Sequence, residues 1–337
     1  VRQMSIRVER ADDAALASWD DHVARSPMGT AFHRLAVLRV LEAHSDSTLY
    51  PLVGYKGQEV VGLFPLFELS KGPVSTVFSP PPRLGVPTLG PVLTNYRKLK
   101  QRKRDRLNRR FVEGVLDWAA DAIGPKYTHV ETSVHYGDAR PFLWREFDVT
   151  PKYTYEVDLS GGPDEVLGRF KSDLRSNVRG HDDADYRITR GGTDAIEFII
   201  GQVRERYEAQ DKTFPVDAAY VKDLYEAFPE GDLEPYVGEV DGVRESGIIV
   251  PRLGDRAHYW QGGVKPETSL PINDLIHWRI ITDAIEDGVE TYDLVGANTQ
   301  RIATYKSRFN PTLAEYYEIE RGTRTMNMAS GVYRRLR

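Results

Sequence analysis

One rhythm of elements occurs twice along the chain, and it limits the fold more than any other feature. In the first half a short strand at 5–9 precedes helical stretches at 12–23 and 31–43. Strand-like runs follow at 48–55, 59–69 and 74–79, then a long helix over 98–122 and a buried-type strand at 127–133. The pattern restarts with a strand at 153–159, short helices at 164–170 and 174–180, and a strand at 186–190. Amphipathic helices at 194–210 and 218–228 lead to strands at 233–240, 244–252 and 256–263, a helix at 271–287 and a strand at 291–294. A short helix at 302–309 and a strand at 314–320 close the series. Apolar residues three and four apart mark the helices, and Gly57-Gln58 and Asp241-Gly242 mark hairpin turns. The segment 80–91, with proline or glycine at seven of its twelve positions, reads as loop. Helices set between runs of antiparallel strands predict an α+β fold of two similar modules, 1–150 and 151–337.

Composition narrows the function classes. The length of 337 residues suits two domains, and 40% hydrophobic with 28% charged residues excludes wholesale disorder. Without cysteine there is no disulfide, thiolate metal site or cysteine nucleophile. No run of about 18 apolar residues occurs, and Val1-Arg2-Gln3-Met4-Ser5-Ile6 lacks the apolar core of a signal peptide, so the expected location is cytoplasmic. Net charge is −5, which does not describe a basic nucleic-acid binder as a whole. The charge is uneven. Residues 97–110 hold nine cations and one anion, so the remainder sums to −5 − 8 = −13. The tail from 322 is also basic. His33, His258 and His277 form no metal spacing, and no metal or cofactor is expected. No nucleophile elbow, Walker loop or dinucleotide fingerprint follows any strand.

Two patches in the second half carry a resemblance. The first is Phe170-Lys171-Ser172-Asp173-Leu174-Arg175-Ser176-Asn177-Val178-Arg179. The second runs from Leu275-Ile276-His277-Trp278-Arg279 through Gly288 and Tyr292-Asp293-Leu294-Val295-Gly296 to Ile302-Ala303-Thr304-Tyr305-Lys306-Ser307-Arg308-Phe309. In order and spacing they resemble the Fem family of aminoacyl transferases, within the Fem-like group related to the GNAT acyltransferases. Tyr305 stands where that family has Phe, Asn310 where it has Gly, and Ala297 follows Gly296 where it has a second Gly. The first half matches more loosely, through Trp19, Ser26-Pro27, Phe32-His33 and the strand at 62–66. The helical arm of some members has no counterpart. The resemblance implies two tandem GNAT-like domains, each a mixed, mostly antiparallel sheet flanked by helices, and a metal-free transfer of an amino acid from aminoacyl-tRNA to an amine.

Amide formation needs a deprotonated amine, stabilisation of the tetrahedral oxyanion and a held donor. Lys306 matches the family lysine that stabilises charge on the reacting ester; the plain alternative is a surface lysine. Tyr305 would line the site or pack in the core. Asp293 would orient the acceptor, act as base, or cap the loop after it. Asn298 and Gln300 would bond substrate. Lys171, Arg175 and Arg179, four apart, would hold substrate phosphates or form a solvated stripe. Arg102, Lys103, Arg106, Arg109 and Arg110 would meet a tRNA backbone or merely solubilise a helix whose positive start they oppose. The glycine loop that holds coenzyme A in GNAT enzymes is missing; its place reads Gln261-Gly262-Gly263-Val264-Lys265-Pro266, where backbone amides could still hold an anion. Three functions follow: an aminoacyltransferase acting on a peptide or small-molecule amine, such as a cell-envelope precursor; an N-acyltransferase fed by an acyl-CoA or carrier thioester; and a non-catalytic module binding tRNA or a phosphorylated ligand.

Overall fold

A computed structural model describes residues 6–181 and 185–322. The basic tail beyond 322, and Asp182 and Asp183 as partners for the arginine stripe, lie outside the described residues. The described chain falls into two compact units. One comprises the residues up to Lys152 together with those from Glu315 onward, and the other runs from Tyr153 to Ala314. Where the sequence suggests a division after residue 150, residues 315–322 group with the first unit.

The first unit contains β1 (Ile6–Arg10), β2 (Thr48–Lys56), β3 (Glu59–Lys71), β4 (Val74–Ser79), β5 (Val92–Leu93) and β6 (Tyr127–Glu131). Its strands run in the order β1-β2-β3-β4-β6, and β6 pairs in turn with the last strand, Thr312–Gly322. Among these strands β4 and β6 pair in parallel, and the other described pairs are antiparallel. The helix Gln101–Ala122 covers this sheet and is seated by a pair of glycines. Gly54 and Gly62 face each other across β2 and β3, and a Cβ at either would come within 2.8 Å of the Phe111 ring. The two missing side chains form the slot that takes Phe111, which is fully buried among Leu52, Phe64, Leu66 and Val130. The helix begins at Gln101 rather than 98, because Leu99 and Lys100 are extended and Tyr96–Lys98 form a separate 3-10 turn. Segment 80–91 contains no helix or strand, as its prolines and glycines require.

The second unit holds β7 (Asp148–Asp158, which begins in the first unit), β8 (Tyr186–Arg190), β9 (Leu233–Val240), β10 (Val243–Leu253), β11 (Arg256–His258), β12 (Gln261–Gly262) and β13 (Thr291–Asp293). The sheet order is β7-β13-β11-β10-β9-β8, with β12 also on β10. Its core joins Tyr236, Ile248 and Val250 to Ile272, Leu275, Ile276 and Ile280 of the helix Ile272–Glu286. Each Å² of apolar surface this helix face removes from water contributes about 25 cal/mol to the unit's stability. The single strand expected at 256–263 is broken. Arg252 lies opposite Ala257, yet Ile249 lies opposite Gln261, so three steps along β10 are matched by four on its partner. The extra residue is a bulge at 258–260, a device that re-aims side chains and ends pairing.

Candidate active site

The parallel strands β11 and β13 stay together for three residue pairs, ending at His258 and Asp293. The last bond between them is Tyr259 N–H to Asp293 O at 2.8 Å. Beyond it the two backbones take different partners. Trp260 N–H turns to Ile249 O of β10 at 3.1 Å, whereas Leu294 and Ala297 N–H donate to Tyr155 O and Tyr153 O of β7 at 2.8 Å each. The sheet therefore splits just after the bulge. Glycines hold one side of the split. Gly262 has φ +107° and a Cβ there would sit 2.1 Å from Gly247 O; at Gly263 it would sit 2.0 Å from the Tyr259 hydroxyl. On the other side the loop 294–298 turns through Val295 and Gly296 at φ 47° and 87°. A β-branched residue rarely adopts that conformation, so surrounding bonds must hold it.

Lys306 is one of those bonds. Its Nζ donates to Val295 O at 2.6 Å and Gly296 O at 3.0 Å, and lies 5.2 Å from the centre of the Tyr259 ring. It is only 6% exposed, which rules out the surface-lysine alternative. Burial pulls its pKa down to about 8, with the Asp293 carboxylate opposing that pull. At neutral pH the ammonium is still mostly charged. It ends the short helix Gln300–Lys306, and the chain then turns at Asn310, φ 49° and ψ 48°. Asn is the residue after glycine that best tolerates this left-handed geometry, which accounts for Asn310 in the family's glycine position.

Asp293 acts as a cap. Its Oδ1 accepts from Val295 N–H at 2.7 Å and from the Thr154 hydroxyl at 2.6 Å, and Thr154 Oγ1 in turn accepts from Gly296 N–H at 3.0 Å. Burial raises its pKa, opposed by neighbouring His258 and by these bonds. The local geometry thus favours the loop-capping alternative over a base. Asn298 is also spent on the loop, since its Oδ1 accepts from Tyr153 N–H at 2.8 Å and its Nδ2 donates to Tyr153 O at 3.2 Å. The amide expected to bond substrate instead copies a strand pair. Gln300 is exposed at the start of its helix.

A carboxylate unforeseen in the sequence organises the other side. Asp274, 5% exposed in the first turn of Ile272–Glu286, accepts from Asn177 Nδ2 at 2.8 Å, Arg308 Nη2 at 2.7 Å and the Tyr305 hydroxyl at 3.0 Å. Arg308 also lies 4.6 Å over the Tyr305 ring. Tyr305 is thus half core and half polar bridge. Burial, then Asp274, pushes its pKa well above the ordinary value. His277 packs against Tyr259 at 4.8 Å and bonds the Tyr292 hydroxyl through Nδ1 at 3.0 Å. Burial drives its pKa down to about 3, so it is neutral. The first turn of this helix, which follows the 261–266 segment, thus holds the Asp274 carboxylate paired with Arg308.

The arginine stripe is less uniform than its spacing implies. The helix is Ser172–Arg179, and Lys171 precedes it with its ammonium 3.1 Å from Asp173. Arg175 donates to Phe170 O and, at 3.3 Å, to Gly168 O, so it caps the helix Pro163–Arg169. Arg179 is exposed. Arg102, Lys103, Arg106, Arg109 and Arg110 all lie on Gln101–Ala122 of the first unit; Arg102, Lys103 and Arg109 are exposed, and Arg109 has Glu113 at 3.9 Å. Among the described residues one triad has metal-ligand chemistry, His129, Glu131 and Glu318, with ligand atoms within 4.8 Å of one another. A residue-spacing search misses it because the third member arrives from the far end of the chain. The Lys152 ammonium, 2.5 Å from Glu318, already supplies a cation there.

Residues 168–307 match the family described as Acetyltransferase (GNAT) domain. No curated protein matches the sequence. Among solved structures, FemX is similar at a TM-score of 0.72 and 14% identity, covering 92% of this chain and 96% of that one. L-PGS from Bacillus licheniformis aligns at 0.58 and 12% identity, covering 97% and 98%. A tandem GNAT protein from the clavulanic acid biosynthesis pathway aligns at 0.54 and 13%, covering 94% and 98%. No helix among the described residues is long and apolar enough to cross a membrane. The chain therefore has the Fem-like, GNAT-related fold, two GNAT-like domains in tandem, with the acetyltransferase-family match in the second.

Proposed function

We propose that the protein is an acyltransferase that moves an aminoacyl group from the ester of an aminoacyl-tRNA to an amine on a peptide or small-molecule acceptor. The acceptor nitrogen attacks the ester carbonyl carbon, the C–N bond forms, the ester C–O bond breaks, and the amine proton ends on the departing ribose oxygen or in water. The observation that carries this reading is the Lys306 ammonium, buried yet charged at neutral pH, at the point where β11 and β13 part. Two of its N–H groups hold the loop carbonyls. The third is the donor for the developing oxyanion. A fixed donor of this kind is worth roughly 3 kcal/mol of transition-state stabilisation, about a hundredfold in rate. Tyr305 and Arg308, locked on Asp274, position the helix that presents Lys306.

The Fem-like motif around Lys306 supports the ester donor. The test is incubation with tRNA carrying labelled amino acids and a deproteinised small-molecule extract, using wild type and Lys306→Ala. Label moving to a new product, and failing to move with Lys306→Ala that melts normally, supports the reading. Absence of transfer, together with a melting temperature raised by coenzyme A, supports an N-acyltransferase using a thioester donor instead.

A further inference from the structure

We infer that the first unit carries a docking surface for anionic lipid bilayers, formed by the basic half of the helix Gln101–Ala122 and the apolar pair Leu143–Trp144. The two parts are neighbours. Arg140 reaches Asp105 of the long helix at 2.7 Å, and Arg145 pairs with Asp117 further along it, so segment 140–145 runs beside this helix. Arg102 and Arg109 fall three and four residues from Asp105 and share its side. Next to them Leu143 is 52% and Trp144 54% exposed, and the Arg140 guanidinium lies 5.6 Å over the indole. Two large apolar side chains in sequence at the tip of a short helix cost solubility and contribute little to the core.

Both a nucleic acid and a membrane would be drawn to the cations. The apolar pair decides between them. Leucine offers no face for a base to stack on, and one indole face is already under Arg140. A bilayer interface accommodates all three groups at their own depths, with tryptophan at the headgroup level, leucine beneath it, and arginine and lysine on lipid phosphates. The surface is separate from the chemistry at Lys306 and stands or falls without it.

The test is co-sedimentation of the full chain with vesicles of phosphatidylcholine alone and of two parts phosphatidylcholine to one of phosphatidylglycerol. The expected result is pelleting with the anionic vesicles only, weakened by salt. Arg102→Gln with Arg109→Gln should lower the partition coefficient by roughly tenfold or more, from the attraction of each cation near an anionic leaflet. Leu143→Ser with Trp144→Ser should lower it by at least about fivefold. All four side chains are exposed, so unchanged melting is expected of both variants. Absence of wild-type binding, or binding indifferent to Leu143→Ser with Trp144→Ser, overturns the inference. Tight binding of uncharged tRNA that needs the cations but not Leu143 or Trp144, without vesicle binding, assigns the surface to RNA and overturns it too.

Discussion

Replacing Lys306 by methionine keeps most of the side chain's length and removes its charge, and the consequence for stability depends on pH in a calculable way. The folded lysine releases its proton near 8, whereas the ordinary value is 10.5. Between these values the unfolded chain binds more protons than the folded one, so the contribution of this group to stability rises with pH. Below 8 the full cost of the buried ammonium is present; above 10.5 it is gone. With 1.36 kcal/mol per pH unit, wild type should gain roughly 2–3 kcal/mol on Lys306→Met between pH 7 and pH 10. Taking the difference between the two proteins cancels the tyrosines and other lysines that titrate in the same range. Urea unfolding at a series of pH values measures it. A stability difference that stays flat from pH 7 to pH 10 would refute the reasoning, because it would mean that the ammonium is as well solvated in the fold as outside it.

The same titration should appear in catalysis: the rate of acyl transfer should fall above about pH 8 as Lys306 loses its charge, and Lys306→Arg, if active, should move that limb upward in a pH–rate profile. Asp274→Asn should cost about 2–3 kcal/mol in denaturant unfolding, because Arg308 and the Tyr305 hydroxyl lose an ionised acceptor in a largely buried setting; a loss below 0.5 kcal/mol, read to about that precision, would show the cluster to be water-exposed. Gly262→Ala should cost about 2 kcal/mol or more and abolish transfer, since the added Cβ meets Gly247 O at 2.1 Å and the backbone is at φ +107°. Normal melting of that variant would show that β12 moves freely off β10.

Periodicity made most helices and strands legible, because each is amphipathic enough to declare its own period; β2, β3, β4 and β9 fall within two residues of expectation at each end. The bulge at 258–260 was not legible. Residues 256–263 read as one strand, and only the partner strand shows that one residue too many lies between Ala257 and Gln261. Lys306 was found through its motif, but not its burial, because the carbonyls that hold it belong to a loop set by Val295 and Gly296. Asp274 went unnoticed for a similar reason. Its partners Asn177, Tyr305 and Arg308 come from two other segments, and a lone Asp in a first helical turn looks like an ordinary response to the helix dipole. The backbone partner of Asn298 was not legible either, because an amide suited to a substrate is equally suited to a neighbouring backbone.

The edge assignments of the first unit bear on how the polypeptide matures. Its sheet is completed by Thr312–Gly322, where Glu318 faces Glu131 and Glu320 faces His129. During synthesis, the nascent first half must wait with β6 uncovered on that side until the ribosome has produced the whole intervening second unit. The second unit, by contrast, is continuous from Tyr153 to Ala314 and can close as soon as it emerges. A fragment ending near residue 150 would present β6 as a raw edge and should aggregate, whereas joining residues 312–322 to it by a short linker should restore a monomer. The domain made first is the one finished last.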